Sequence, residues 1–370
     1  MSGKIRVAIL FGGQSVEHEV SLQSAKNVFE AINKDKYDVS LIGIDKKGKW
    51  HLNDKSKYLL NENDAKQIRL NSSGENLAVI PGNQDNKMMN INTKSSIDNI
   101  DVVFSVIHGT TGEDGVLQGF LKLADIPFVG PDVLGSAVCM DKDVAKRLLR
   151  DAGIPNSKFF TFNKNQINSI DFEKLKNDLG LPLFIKPANC GSSVGVNKVK
   201  NKEDFDKFIS EAFRYDNKIL IEEYIKGREI ECSVMGNENP IVSVAGEIKA
   251  QQEFYSYNAK YIDDKGALTS IPADLNEETL KKVQKYAISA FKTLCCEGMA
   301  RVDFFVTDDE KIYVNELNTI PGFTKISMYP KLWEASGIGY SDLIDKLIGF
   351  AIERHQRDKA LEHSVEVVSI

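Results

Sequence analysis

The segment Arg301-Val302-Asp303-Phe304-Phe305-Val306, the acidic turn Thr307-Asp308-Asp309-Glu310 and the segment Lys311-Ile312-Tyr313-Val314-Asn315-Glu316-Leu317-Asn318 together read as a hairpin able to hold metal. Side chains alternate across a strand, so Arg301 shares a face with Asp303, and Glu316 with Asn318. A tight turn at Asp308-Asp309 makes Asp303 and Glu316 diagonal neighbours about 7–8 Å apart. Two carboxylates and an amide are hard oxygen donors suited to Mg2+, which leaves its other positions to water and substrate phosphates. A solvated hairpin face is the competing reading of this segment alone.

Three phosphate-binding signatures can be tested against the sequence. Gly43-Ile44-Asp45-Lys46-Lys47-Gly48-Lys49 begins like a Walker A loop, but Trp50 stands where a Ser or Thr must reach Mg2+, so it reads as a turn between strands. No Gly-x-Gly-x-x-Gly follows the first strand, which argues against a dinucleotide site. Lys186-Pro187-Ala188-Asn189-Cys190-Gly191-Ser192-Ser193-Val194-Gly195 lies between two strands. Its glycines and serines can turn backbone N–H groups and hydroxyls toward phosphate oxygens while Lys186 supplies a cation; an ordinary hairpin loop is the alternative. Glu222 and Glu223 end an apolar strand and Glu229 follows, placed to accept hydrogen bonds from a ribose or an adenine amino group, or simply to face solvent. Two more loops, Gly12 to Ser21 and His108 to Gly115, sit where open α/β sheets bind ligands, beyond the carboxyl ends of strands.

These segments need a scaffold that brings them together. Ile5 to Phe11, Tyr37 to Ile44 and Asp101 to Ile107 read as strands, with helical spacing at Leu22, Ala25, Val28, Phe29 and Ile32 and again from Leu117 to Ala124. That βαβ rhythm predicts a doubly wound parallel sheet. Residues 61 to 99, rich in Asn, Ser, Lys and Gly, read as a surface excursion with a short hairpin around Leu77 to Pro81. Helical patterns at Val144 to Leu149 and Phe172 to Leu179 alternate with strands at Leu183 to Lys186 and Val196 to Val199. Strands at Lys218 to Tyr224, Glu231 to Met235 and Ile241 to Ile248, and an amphipathic helix over 277 to 294, lead into the hairpin. The fold class is therefore α/β followed by α+β with antiparallel strands.

At 370 residues the chain has room for two or three domains and a cleft between them. Its 42% hydrophobic and 27% charged composition is that of a soluble globular protein. A net charge of -6 with dispersed Lys and Arg offers no basic stripe for nucleic acid. No apolar run is long enough to span a bilayer, and no signal-peptide pattern opens the chain. Five cysteines without Cys-x-x-Cys spacing fit reduced thiols in a cytoplasm better than a disulfide framework or a zinc site.

Taken in order, Gly12-Gly13-Gln14-Ser15-Val16-Glu17-His18-Glu19-Val20-Ser21, His108-Gly109 with Gly112-Glu113-Asp114-Gly115, Met140-Asp141-Lys142, Lys186-Pro187 with Gly191 to Gly195, Tyr255 with Ala259-Lys260-Tyr261, Arg301-Val302-Asp303 and Asn315 to Gly322 closely resemble the D-alanine:D-alanine ligases of the ATP-grasp superfamily across nearly the whole chain. The resemblance implies an N-terminal Rossmann-like (pre-ATP-grasp) substrate domain over 1–130, a central ATP-grasp subdomain over 131–221 and a C-terminal subdomain over 222–370 carrying metal and catalytic residues. It implies two-step chemistry: ATP phosphorylates the carboxylate of one D-alanine, and the amine of a second attacks the acylphosphate. Lys142 and Lys186 would meet nucleotide phosphates, Ser192 and Ser193 would cover them, and Glu222, Glu223, Tyr224, Ile225, Glu229, Phe254 and Asn315 would line the nucleotide site. Lys260 would touch the γ-phosphate. Asp303, Glu316 and Asn318 would hold two Mg2+ ions, with Mn2+ as a substitute. Arg301 and the Gly322 N–H would form the oxyanion site. Glu17 would take the first D-alanine's ammonium with His108 near its carboxylate, and Ser327, beside Met328, the second D-alanine's carboxylate. Ser192, bonded to Glu17 and Tyr261, would close a lid. A homodimer is also implied. The intact Lys260-Tyr261 pair favours the dipeptide ligase over siblings that use D-lactate or D-serine, while Cys190 and Ile326 depart from the family pattern. A non-catalytic nucleotide-binding module on the same fold would have lost residues among Arg301, Asp303, Glu316 and Asn318, and all four are present.

Overall fold

The computed structural model describes residues 3–72, 74–82, 87–97, 99–250 and 267–362. The expectations placed on Phe254, Tyr255, Lys260 and Tyr261 lie outside the described residues. The first strands are β1 (Ile5–Gly12), β2 (Tyr37–Ile44), β3 (Trp50–Asn53), β4 (Leu59–Leu60), β5 (Arg69–Leu70), β6 (Glu75–Val79), β7 (Met88–Asn90) and β8 (Val102–Ser105). They form a six-stranded sheet in the order β7-β6-β3-β2-β1-β8, with β4 and β5 as a separate pair. β1 pairs in parallel with β2 and β8, and from Val7 onward every residue of β1 is buried, as expected of a central parallel strand covered on both faces.

The three strands read from the sequence rhythm form the parallel part, and further strands widen the sheet. β3, β6 and β7 extend it in antiparallel fashion, so the segment read as a surface excursion supplies two edge strands and buries Leu77 and Met88. Strands this short show too few alternations to stand out by periodicity. Ile126 to Val129 contributes only a bridge, Val103 to Phe128.

Helix α1 (His18–Ala31) follows β1, and α2 (Val116–Leu123) follows β8. After α3 (Val133–Met140) the chain turns at Asp141, whose carboxylate accepts from the N–H groups of Asp143 and Val144 and so caps α4 (Lys142–Asp151). A four-stranded antiparallel sheet joins β11 (Asn197–Val199), β10 (Leu183–Pro187), β12 (Lys218–Glu223) and β9 (Phe159–Asn163), in that order, with α5 (Phe172–Leu179) and α6 (Lys202–Ala212) beside it. A five-stranded antiparallel sheet runs β15 (Ala267–Ser270), β14 (Ile241–Ala250), β13 (Arg228–Gly236), β16 (Gly298–Val306) and β17 (Ile312–Asn318).

The helix Glu277–Thr293 buries Val283, Ala287, Ala290 and Phe291 against this last sheet. Two C-terminal helices absent from the sequence reading, Met328–Ala335 and Tyr340–Lys359, set Trp333, Leu343 and Leu347 into the same core as Val7, Ile9 and Phe11. Arg354, 4% exposed, donates to the carbonyls of Phe128 and Gly130 and clamps the exit from the first sheet.

Candidate active site

The β16–β17 hairpin is the wall between two cavities. Its turn is longer than Asp308-Asp309: Thr307 N–H donates to Lys311 O, and Glu310 adopts φ 60°. A bulge between Asp303 and Phe304 then shifts the register, so Asp303 lies directly opposite Glu316 and Arg301 opposite Asn318. This corrects the diagonal placement. The bulged residue is Asn315, and both Asn315 and Glu316 turn to the partly open face while Val314 and Leu317 stay buried.

Arg301 donates from Nε to Asp303 Oδ1 at 2.7 Å and from Nη2 to Oδ2 at 2.8 Å, and its Nε lies 3.0 Å from Glu231 Oε2. Asn318 Nδ2 donates to Asp303 Oδ2 at 2.9 Å, and Lys142 Nζ lies 3.7 Å from Glu316 Oε2. Among the described residues no three His, Cys, Asp or Glu side chains gather at metal-holding range. Two opposed carboxylates and an amide beside a phosphate-ready cavity nonetheless fit Mg2+, which draws its remaining ligands from water and phosphate.

The larger adjoining cavity, about 210 Å3, is lined by Lys142, Lys186, Ser192, Ser193, Lys198, Glu222, Glu223, Tyr224, Ile225, Glu229, Asn315 and Glu316 among others. Lys142 opens α4, its N–H donates to Ala188 O, and its ammonium donates to Cys190 O at 2.8 Å. β10 and β12 pair Phe184 with Glu222, which leaves Lys186 diagonal to that carboxylate, and Lys186 Nζ donates to Glu222 Oε2 at 2.9 Å. A second cation, Lys146, lies one turn beyond Lys142, 2% exposed, 3.5 Å from Glu222 Oε1 and donating to Ser157 Oγ at 2.8 Å. Burial works to raise the Glu222 carboxyl, yet Lys146 and Lys186 outweigh it and hold the pKa down at about 2. Burial and the neighbouring Lys186 act to lower Lys146, and the Glu222 charge only partly offsets them. Tyr224 stacks at a tilt on Phe184 with the Lys198 ammonium 4.6 Å from its ring centre, a flat amphipathic rim. Glu223 is turned aside and accepts from Lys158 N–H at 2.7 Å.

The smaller cavity, about 140 Å3, is acidic: Glu17, Glu113, Glu229, Glu231, Asp303 and Glu316 line it with Arg301, Gly322, Ser327 and Met328. Glu17 is 5% exposed at the start of α1. Gly109, at φ 73°, admits it: a Cβ there would lie 2.9 Å from Glu17 Oε2. Glu113 accepts from Gly109 N–H and Ile320 N–H, and burial with the adjacent Glu17 charge raises its carboxyl well above the usual range.

The loop after β17 is fastened to the first sheet. His108 Nδ1 meets Ile320 O at 2.8 Å, Phe323 N–H donates to Ser24 Oγ, and Asn27 Nδ2 donates to Phe323 O. Gly322 is bare because Ser327 Oγ would stand 2.7 Å from any Cβ, and that hydroxyl accepts from Thr324 N–H at 3.0 Å.

Two of the expected site residues are engaged differently in this structure. His108 lines neither cavity: burial lowers its pKa, and both ring nitrogens are engaged by Ile320 O and Ser24, so it braces the loop. Ser192, in the left-handed region with Ser193 at φ 51° and 59°, lines both cavities, but its hydroxyl makes no hydrogen bond with Glu17. Lys146, Ser157, Lys198 and Phe305 escaped the sequence reading. Lys146 had a signal in its i+4 spacing from Lys142, and Phe305 in its i+2 spacing from Asp303, whereas Ser157 and Lys198 had none.

Two antiparallel sheets around a cationic cavity, with opposed carboxylates on the shared wall, define an ATP-grasp enzyme. The model of the D-ala D-ala ligase N-terminus matches residues 6–131, and that of the C-terminus residues 148–349. The D-alanine--D-alanine ligase of Oceanobacillus iheyensis is 59% identical over 361 residues, 98% of this chain and 99% of its own. D-alanine--D-alanine ligase A of Escherichia coli strain K12 is 52% identical over 359 residues, 97% and 99% of the two chains. Among solved structures, the D-alanine-D-alanine ligase from Coxiella burnetii superposes with a TM-score of 0.84 at 41% identity over 96% of each chain. The VanG D-Ala:D-Ser ligase from Enterococcus faecalis gives 0.82 at 39% identity over 94% of this chain and 100% of its own. The chain belongs to the D-alanine–D-alanine ligase family.

Proposed function

We propose that the chain joins two D-alanine molecules into D-alanyl-D-alanine at the cost of one ATP, through a D-alanyl phosphate, for peptidoglycan precursor synthesis. The observation that carries this reading is the meeting of a cationic cavity and an acidic one at Asn315 and Glu316. Lys142 and Lys186 hold the nucleotide phosphates, and Lys146 keeps Glu222 charged and aimed toward the nucleoside end. Glu17 receives the ammonium of the first D-alanine, whose carboxylate oxygen attacks the γ-phosphorus and expels ADP. The amine of the second D-alanine, its carboxylate at Ser327 beside Met328, then attacks the acyl carbon, and phosphate leaves.

Arg301 and the Gly322 N–H face the tetrahedral oxygen, where preorganised donors act most strongly. Asp303, Glu316 and Asn318 would hold two Mg2+ ions, which neutralise charge on the transferring phosphoryl group. Ser192 and Ser193 belong to the cover that excludes water from the acylphosphate.

We place domain limits near 130 and 221; the three main sheets support a three-part division, although β12 runs on to Glu223. The apolar stripe Val116, Phe120 and Leu123 on α2, joined by Leu134 on α3, supports a homodimer: Val116, Leu123 and Leu134 are each at least 60% exposed. Five free thiols, with Cys139 and Cys296 sulfurs in hydrogen-bond contact at 3.3 Å and not joined as a disulfide, favour the cytoplasm. No helix among the described residues is long and apolar enough to cross a membrane.

The test is phosphate release from ATP and Mg2+ with D-alanine, L-alanine, D-serine or D-lactate supplied singly and in pairs. D-alanine alone should support full turnover, with the dipeptide as product. Turnover that requires D-serine or D-lactate would shift the reading to a sibling ligase, and none with D-alanine would overturn it.

A further inference from the structure

A larger cavity lies outside the two just described. It is an open cleft of about 830 Å3 at the carboxyl end of β2, lined by Lys46, Lys47, Lys49, Lys66 and Arg69, with Ile68, Leu70 and His51 beneath them. The segment Gly43 to Lys49, which resembles a Walker A loop only in its first half, supplies three of its cations. Lysines and an arginine dispersed in the sequence are thus collected by the fold.

Charge bookkeeping in the cleft leaves a positive excess. Two carboxylates line it against five Lys or Arg side chains. Glu19 is taken by Lys46 at 2.6 Å. Asp45 is turned inward, accepting from the N–H groups of Lys47 and Lys49 at 2.8 and 3.0 Å and facing His51 Nε2 at 3.2 Å. Lys47, Lys49, Lys66 and Arg69 have no carboxylate partner among the described residues. Other exposed lysines find one, as in Lys36–Asp345, Lys55–Asp38, Lys202–Asp206 and Lys281–Glu277. Four unpaired cations around one concavity repel each other, and a multivalent anion relieves that repulsion.

The floor is not merely a solvated face. His51 is 4% exposed and its Nδ1 has no hydrogen-bond partner, while Ile68 and Leu70 are 1% and 9% exposed. An apolar floor under a cationic rim suits a ligand with a charged end and an organic body. The place agrees with the rule that open α/β sheets bind ligands beyond the carboxyl ends of their strands. It is also next to the substrate loop: a Cβ on Gly48 would lie 3.1 Å from Gln14 Oε1, and the Lys46 partner Glu19 is two residues from Glu17.

We propose that this cleft is a second anion site, for an organic phosphate carrying two or more negative charges, separate from the nucleotide cavity. It does not depend on the reaction assigned above, because its test reads binding rather than turnover. The probe is inorganic pyrophosphate, titrated calorimetrically at fixed ionic strength against the wild type, the Lys47→Ala/Lys49→Ala/Arg69→Ala variant and the Lys142→Ala variant. The cleft component should weaken at least about tenfold in the triple variant, a loss of about 1.4 kcal/mol, and persist in Lys142→Ala. D-alanine-dependent phosphate release and the melting temperature of the triple variant should match the wild type. Pyrophosphate binding that is unchanged in the triple variant, that disappears in Lys142→Ala, or that is matched by chloride alone would overturn the proposal.

Discussion

Glu222, buried, and Glu113, half-buried, lie a short way from the same hairpin, and their environments drive them in opposite directions. Glu222 lies between Lys146 and Lys186 and is held ionised at about 2. Glu113 lies beside Glu17, and burial with that neighbouring charge pushes its carboxyl up. The contrast shows how one wall serves two substrates: cations on one side for phosphates, acids on the other for an ammonium.

Removing the wall should have the largest effect. Asp303→Asn or Glu316→Gln is expected to lower kcat roughly a thousandfold, since charge stabilisation of several kcal/mol is lost at tenfold per 1.36 kcal/mol. Circular dichroism should stay unchanged, and near-normal turnover in both variants would refute the metal assignment.

Lys146→Met tests the cationic side. It leaves buried Glu222 with one cationic partner in place of two, and loss of a buried ion-pair partner is worth roughly 3 kcal/mol. Chemical denaturation should register that loss, and steady-state kinetics a rise in KM for ATP with KM for D-alanine unmoved. A variant with both values unchanged would reduce Lys146 to a spectator.

The two glutamates also predict opposite pH responses. Glu222 is lowered, so its stabilising contribution is present above the ordinary carboxyl value of 4.5 and is lost as pH falls toward about 2. Glu113 is raised, so its contribution is present below the ordinary carboxyl value and is lost as pH rises through its folded-state value. The melting temperature of Glu113→Gln should therefore fall less than the wild type's between pH 6 and pH 9. Parallel curves would show that Glu113 is already ionised at neutrality.

The smallest effect on chemistry belongs to the surface. Leu123→Asp should shift the mass in light scattering toward a monomer while kcat changes less than about twofold, because α2 lines neither cavity. A monomeric wild type would remove the dimer proposal.

Much of the positioning scaffold was legible because it depends on repeating patterns. β2 over Tyr37–Ile44 and the helix Glu277–Thr293 are written in continuous or periodic apolar residues, and the hairpin in an alternation from Arg301 that breaks at Asn315 and Glu316. What alternation cannot encode is an extra residue: Asn315 bulges out, and that single insertion brings Asp303 opposite Glu316. Burial is similarly silent in the sequence. Lys146 looks like any helical lysine until α4 is packed against β12, and nothing in the sequence around His108 shows that its ring meets the loop after β17. The hairpin read around Leu77 to Pro81 overlaps β6, but β7 was hidden because its polar, Asn-rich surroundings outweigh three residues of strand pattern.

The division of charge between the cavities is the central claim, and two-substrate kinetics on Lys186→Met and Glu17→Gln test it most directly. Lys186→Met should raise KM for ATP at least about tenfold and leave the first D-alanine KM within about twofold; Glu17→Gln should do the reverse. If either variant moved both constants equally, or the two effects were exchanged, the assignment of phosphates to the cationic cavity and the ammonium to the acidic one would be contradicted.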